Sequence, residues 1–294
     1  MLHNYIMKIV PPSHIVLGGG GMKCLAYIGA FEILEKENIL KHIKYFHGVS
    51  AGALMSFAHI IGYTVHEMKE LITSMDFHLL QNIDENFALD LFESFGLDNG
   101  HKLEKLIESL LKHKGLNREI TFQQLFDLKK KTFLCYAVDL NEGTYKTFSV
   151  KTTPNYSVLT AVRASMSLPG YFYPVTDTDS EHLLVDGALL NNYPIELIEE
   201  SSVLGLDFMP VSIYNESIDS IQSYFYQLFS CLYNKFQEIP ENYKDKTIYI
   251  NCKTHILDFF ATQEERLELI QCGAEAVKNY LQNQKVIIKR RNSI

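Results

Sequence analysis

Hydrophobic and polar positions switch along this chain between the period of a strand and the period of a helix. His14 to Leu17 is a short apolar run that stops at four consecutive glycines, Gly18 to Gly21. Beyond them Leu25, Ile28, Gly29, Ile33 and Leu34 recur at helical spacing, which predicts a strand, a tight turn and a helix. Tyr45 to Val49 repeats the arrangement, with a turn at Ser50 and a small-residue-rich apolar helix from Ala51 to Ile61. Two such units in succession predict parallel strands. Thr64 to Glu67 and Thr262 to Glu265 carry the T-x-x-E spacing of a helix cap, the second opening an amphipathic helix to about Leu281. Lys102 to Lys112, with Leu103, Leu106, Ile107, Leu110 and Leu111 on one stripe, predicts another helix.

Thr132 to Asp139 and Tyr145 to Val150 are β-rich runs on either side of Asn141-Glu142-Gly143-Thr144, the chemistry of a hairpin turn. Ser157 to Ala164 predicts a helix before Pro169-Gly170, His182 to Val185 a strand ending at Asp186-Gly187, and Thr247 to Asn251 a further strand. Ser217 to Phe236 predicts a long helix whose stripe of Ile218, Ile221, Phe225, Leu228, Leu232 and Phe236 could supply apolar surface near the mouth of a site but reads rather as a core-facing side. Asp76 to Gly100 is weakly patterned, with Phe87, Phe92 and Phe95 among acids, and reads as a mobile cover or a membrane-facing segment. Strands and helices interleave with no linker, low-complexity tract or repeat. The expectation is an α/β fold with a mostly parallel central sheet flanked by helices, in one domain over 1–294. Its core spans about 12–210, and 211–294 adds a strand and helices to the same domain.

Composition changes this picture by exclusion. The 294 residues are 47% hydrophobic, enough for a large core, and the net charge of -8 speaks against a partner with a phosphate backbone, so no nucleic acid is expected. Cys24, Cys135, Cys231, Cys252 and Cys272 are scattered without a C-x-x-C pair, and read as reduced, mostly buried thiols with no metal site. Met1 to Val10 lacks the apolar core and cleavage site of a signal peptide, so a cytoplasmic location is expected. No apolar run approaches the roughly 18 to 20 residues needed to span a bilayer, which leaves only peripheral membrane contact and no transmembrane segment. The basic tail Lys285, Lys289, Arg290 and Arg291 is the one cationic cluster and reads as a solvated terminus.

Three places could carry chemistry. Gly18 to Gly21 fails as a Walker loop, because Lys23 is preceded by Met22 and followed by Cys24, and it lacks the third glycine of a dinucleotide fingerprint. What remains is a run of backbone N–H groups at the positive end of a helix, suited to an oxyanion. Gly48-Val49-Ser50-Ala51-Gly52 is a G-x-S-x-G elbow between strand and helix, which presents a nucleophilic serine at the strand end. Its base is either a late histidine or an acid. Of eleven histidines only His182 and His255 lie beyond residue 113, and only His255 follows Asp186, in a stretch that reads as a polar loop. Asp186 in Leu184-Val185-Asp186-Gly187-Ala188 ends an apolar strand beside little side-chain bulk and is the other candidate.

The assembled pattern resembles the patatin-like phospholipase family over nearly the whole chain. Gly19-Gly20-Gly21-Met22-Lys23 is similar to the family's oxyanion loop, Gly48 to Gly52 to its elbow, and Asp186-Gly187-Ala188 to its D-G-A/G motif. Gly96-Leu97-Asp98-Asn99-Gly100, Thr121-Phe122 and Ala161 to Gly170 resemble stretches the family carries in this order. Cys24 departs from the pattern, standing where most members have glycine. The resemblance implies a three-layer α/β/α fold and a lipid acyl hydrolase of phospholipase A1/A2 type. It implies Ser50 as nucleophile and Asp186 as base in a dyad without histidine, and an oxyanion hole from Gly19, Gly20, Gly21 and Met22. Gly48, Gly52, Lys23 and Gly187 would support these groups. It requires no metal and no cofactor, and implies a phospholipid or other acyl lipid presented at a membrane surface; no protein partner is legible. A soluble carboxylesterase or thioesterase is the alternative within the class, and a catalytically silent lipid- or partner-binding module the alternative outside it.

Overall fold

Residues 11–83, 91–209, 217–236, 239–252 and 259–291 are described by a computed structural model. Strands β1 (His14–Leu17) and β2 (Tyr45–Val49) form as the apolar runs predict, followed by helices α1 (Ala26–Lys36) and α2 (Ala51–Ile61). Helix α3 (Val65–Ser74) opens on the expected capping box, Thr64 Oγ1 accepting the Glu67 N–H while Glu67 accepts the Thr64 N–H. Strand β3 (Gly96–Asp98), helices α4 (His101–His113) and α5 (Phe122–Lys129), and the hairpin β4 (Thr132–Asp139) with β5 (Thr144–Ser149) follow. Helix α6 (Val158–Ser165) leads into β6 (Gly170–Phe172), β7 (Val175–Thr176) and β8 (Leu183–Asp186). Strand β9 (Val203–Phe208), helix α7 (Ile221–Phe236), the short helix α8 (Glu241–Lys244), β10 (Thr247–Ile250) and helix α9 (Gln263–Arg291) complete the described chain.

Two helix boundaries differ from the sequence reading. Helix α7 begins at Ile221 rather than Ser217, because the Ser220 hydroxyl accepts the Ser223 N–H and caps the helix there. Helix α9 continues past Leu281 to Arg291, since no glycine or proline follows Gly273 to stop it.

Among the described residues the main sheet has eight strands, in the order β10-β9-β1-β2-β4-β8-β7, with β5 also paired to β4. From β10 to β4 all neighbours are parallel, whereas β8 and β5 run antiparallel to β4, and β7 antiparallel to β8. The sheet is therefore mixed beyond β4. Alternation along each strand divides the core. Ile15, Leu17, Phe46 and Leu206 join the large helical side, whereas Val16 and Val203 pack with Tyr193, Ile195, Ile198 and Tyr243 under a thin layer of short turns.

Helix α9 crosses α1 at unusually close range. A Cβ on Gly29 would overlap the Ile270 carbonyl oxygen, and one on Gly273 would overlap that of Ala26. Backbone on both sides cannot rotate away as a side chain could. Gly29→Ala and Gly273→Ala are each expected to cost about 1 to 3 kcal/mol of stability, the range for overpacking a tight contact. A thermal or urea melt unchanged from the parent in both variants would contradict this account of the crossing.

Candidate active site

The site arises where two strands end against a third. Strand β2 runs parallel to β4 and stops with Val49 opposite Tyr136; β8 runs the other way and stops with Asp186 opposite Ala137. Their C-terminal ends therefore meet over adjacent residues of β4. Ser50 follows β2 directly, and its Oγ donates a 2.6 Å hydrogen bond to Asp186 Oδ2. The two residues predicted to act together are in contact.

Each is held from several sides. Ser50 has φ 55° and ψ -133°, a backbone conformation that costs a non-glycine residue about 1 to 3 kcal/mol. Its N–H donates to Ser165 Oγ at 2.9 Å. Gly48 and Gly52 make room for the turn: a Cβ on Gly48 would stand 2.5 Å from Ala53 Cα, and one on Gly52 2.5 Å from the Leu17 carbonyl oxygen. Asp186 is 1% exposed; its Oδ1 accepts the Ala188 N–H at 2.9 Å, and its own N–H donates to the Ser167 carbonyl at 2.9 Å. Gly187 lets the turn press onto β4, since a Cβ there would lie 2.6 Å from the Tyr136 carbonyl oxygen. Burial raises the Asp186 carboxyl from 3.8 to about 7, against the lowering effects of the Ser50 and Ala188 hydrogen bonds.

The glycine loop faces this pair. Gly19 lies so near that a Cβ would come within 2.8 Å of Ser50 Cβ. The loop is fixed by Gly18 N–H donating to the Leu206 carbonyl, Gly19 N–H to the Asn192 carbonyl, and Asn192 Nδ2 to the Gly19 carbonyl. Residues Gly21–Leu25 then form a 3-10 turn that runs into α1. Among the described residues the N–H groups of Gly20, Gly21 and Met22 find no acceptor, and these residues line the same cavity as Ser50. Cys24 sits within the 3-10 turn, where a Cβ is tolerated, and its buried thiol is pushed well above its ordinary pKa. Lys23 is buried beside Cys252, Cys24 and Asp207, and desolvation lowers its ammonium.

These groups open into a cavity of about 180 Å³ with predominantly apolar walls, among them Leu54, Met55, Phe77, Leu80, Leu106 and Phe259. Ser50, Asp186, Gly19 to Met22 and Lys23 all reach it. None of its described walls is a histidine. His182 pairs instead with Asp139 at 2.8 Å, at the far end of β8, and His255 lies outside the described residues. Asp139, Glu142 and His182 are the one described group with metal-ligand atoms in mutual reach. The Asp139 carboxylate there already accepts from His182, Asn141 and Glu142.

Of the weakly patterned stretch, Phe77 and Leu80 line the cavity, Phe92 (81%) and Phe95 (59%) are exposed, and Phe87 lies outside the described residues. The stripe on α7 is divided: Ile221 and Phe225 are half-buried, Phe225 against Gly170, and the side chains of Leu232 and Phe236 lie outside the described ones. Ile218 before the helix and Leu228 on it are exposed, because α7 lies against β6 and the Gly187–Leu189 turn at the cavity rather than on the sheet, and Ser230 forms part of the wall. Sequence reasoning also missed Asn192 and the roles of Ser165 and Ser167. The two serines lay within the quoted Ala161 to Gly170 stretch, whereas no local signal marks Asn192.

Known proteins are similar to this chain in sequence and in fold. An uncharacterized protein YqhO of Bacillus subtilis is 29% identical over 294 residues, covering 90% of this chain and 97% of its own. A probable lipid hydrolase 463L of Invertebrate iridescent virus 6 is 28% identical over 195 residues, 66% of either chain. The crystal structure of VipD from Legionella pneumophila superposes with a TM-score of 0.64 at 17% identity, over 93% of this chain and 67% of VipD, a likeness of fold. The profile of the patatin-like phospholipase family matches residues 15–198, a span that contains the glycine loop, the elbow and Asp186. The chain belongs to the patatin-like phospholipase family.

Proposed function

We propose that this chain hydrolyses the fatty-acyl esters of phospholipids or related glycerolipids, as a phospholipase of A1/A2 type, through a Ser50–Asp186 dyad. The observation that carries the reading is the 2.6 Å hydrogen bond from Ser50 Oγ to a buried carboxylate, at the base of an apolar cavity. Ser50 Oγ attacks the ester carbonyl carbon while its proton passes to Asp186 Oδ2. The tetrahedral oxyanion takes hydrogen bonds from the N–H groups of Gly20, Gly21 and Met22, with Gly19 shaping the loop. As the carbon–oxygen bond breaks, Asp186 returns the proton to the departing alcohol. Water then repeats the sequence on the acyl-enzyme, with Asp186 again as base, and releases the fatty acid. An aspartate near its ordinary pKa is a weak base for a serine hydroxyl; burial gives Asp186 the basicity the step requires.

A lipid substrate is supported by the surface around the cavity. Phe77 and Leu80, Phe259, and Leu189 line it, and their chain neighbours Leu79 (62%), Phe260 (68%) and Leu190 stand exposed. Apolar side chains on three separate elements thus border one apolar opening, an arrangement fitted to peripheral contact with a bilayer. Among the described residues no helix is long and apolar enough to cross a membrane.

Ser50→Ala and Asp186→Asn are each expected to lower kcat by several orders of magnitude on any ester while the fold is kept. Hydrolysis surviving within a few-fold in either folded variant would remove that residue from the dyad. Because Asp186 must be ionised to accept a proton, kcat/KM is expected to rise with pH through about 7, not through 4. The same shift acts on stability. The folded carboxyl stays protonated up to about 7 while the unfolded one ionises near 3.8, so stability present below 3.8 is lost as pH rises toward 7. Asp186→Asn, which carries no charge to bury, should therefore gain on the parent across that window and level off above it, by roughly 4 kcal/mol at most. Denaturation at pH 4 and pH 8 measures it; an advantage that is constant with pH would refute the buried-charge account.

Leu79→Asp with Phe260→Asp is expected to reduce hydrolysis of phospholipid vesicles at least tenfold more than that of a soluble short-chain ester, since only the first needs docking. Equal losses on both substrates would point to a soluble esterase or thioesterase.

A further inference from the structure

The Ala161 to Gly170 and Gly96 to Gly100 stretches take no part in the proposed chemistry, yet they meet directly behind the dyad. The last turn of α6 and the residues after it touch both partners. Ser165 Oγ accepts the Ser50 N–H at 2.9 Å, and the Ser167 carbonyl accepts the Asp186 N–H at 2.9 Å. Both serines are fully buried. Arg163, likewise buried, anchors this turn. Its Nη1 donates to Ser167 Oγ at 2.6 Å, and its Nη2 donates to the carbonyls of Asn99 and Tyr173. Gly100 leaves the guanidinium its space, since a Cβ there would fall within it.

We infer that Ser165 is a positioning residue for the nucleophile: by accepting the Ser50 N–H it holds the elbow in its left-handed conformation and aims Oγ at Asp186. Two physical points carry this. Ser50 has a positive φ without being glycine, a state that persists only where surrounding bonds enforce it, and the Ser165 hydroxyl is the side chain that bonds its backbone nitrogen. A bond to that N–H also removes it as a donor to the oxyanion. Through Ser167 and Arg163 the same turn fixes Asp186, so one segment sets the separation of the two reacting groups.

The inference rests on the Ser50–Asp186 reading, and the experiment separates their failures. Steady-state kinetics on a soluble short-chain ester are measured for Ser165→Ala, Ser165→Cys, Ser56→Ala and Ser50→Ala, with circular dichroism and melts to establish folding. Ser165→Ala is expected to lower kcat about 10- to 100-fold with KM changed less than about threefold, since aim and not substrate binding is lost. Its acid limb of kcat/KM should move to higher pH, because the Ser50 hydrogen bond is one of the contacts that hold the Asp186 pKa down. Ser165→Cys, whose sulfur is a weaker acceptor of nearly the same bulk, should fall between Ala and the parent. Ser56→Ala deletes another fully buried hydroxyl, one bonded to the His47 carbonyl on β2 and not to Ser50 or Asp186, and should leave both kcat and the limb unchanged. Parent kcat and an unmoved limb in folded Ser165→Ala overturn the inference. If Ser165→Ala does not fold, Ser165→Cys decides, and parent kcat with an unmoved limb there overturns it equally. Activity retained in Ser50→Ala overturns the dyad itself, whatever Ser165 does.

Discussion

Two strands that run in opposite directions end over neighbouring residues of β4, Val49 opposite Tyr136 and Asp186 opposite Ala137. Everything at the site follows from that meeting. A purely parallel sheet could not produce it, because the C-terminal ends of parallel neighbours lie side by side and not tip to tip. The departure from parallel order beyond β4 is thus the feature that brings a serine and an aspartate, distant in the chain, within 2.6 Å. It also leaves both at the same rim of the sheet as the glycine loop, since β1 is parallel to β2 and ends level with it.

This arrangement is held against two local costs. A serine with positive φ and a carboxylate shut away from water would each relax if isolated. They persist because contacts converge on them from β4, from the turn after α6 and from the glycine loop. Gly187 fits against Tyr136, Gly19 fits against Ser50, and Asn192 ties the loop to the segment after Asp186. The strain at Ser50 and the raised Asp186 carboxyl are consequences of one rigid surround, in which burial outweighs the hydrogen bonds from Ser50 and Ala188.

Much of this was legible along the chain. Period and turn chemistry located β1, β2, β4, β5 and the helices behind them, because each depends on residues near in sequence. Motif spacing singled out Ser50, Asp186 and the glycine loop. What could not be read was register and direction: nothing in Leu183 to Asp186 says that the strand runs antiparallel to β4, and that is decided by long-range pairing. The α7 stripe left its partner open for a related reason, since periodicity reveals an apolar face but not whether it meets the sheet or the mouth of a cavity. Asn192 was silent because it acts through two hydrogen bonds to Gly19, in a loop that precedes it by most of the domain.

The close crossing of α1 and α9 bears on the order of events in biosynthesis. Helix α1 continues from the glycine loop, and the element that packs hardest against it, α9, is translated after every other described element. A growing polypeptide therefore holds the elbow, the loop and Asp186 well before it holds the brace behind the loop. Contacts between segments so far apart form late and slowly, because a long stretch of chain must be ordered before they are made. The glycine loop would in this way gain its full support only once α9 has been made, and the timing is written into the topology itself.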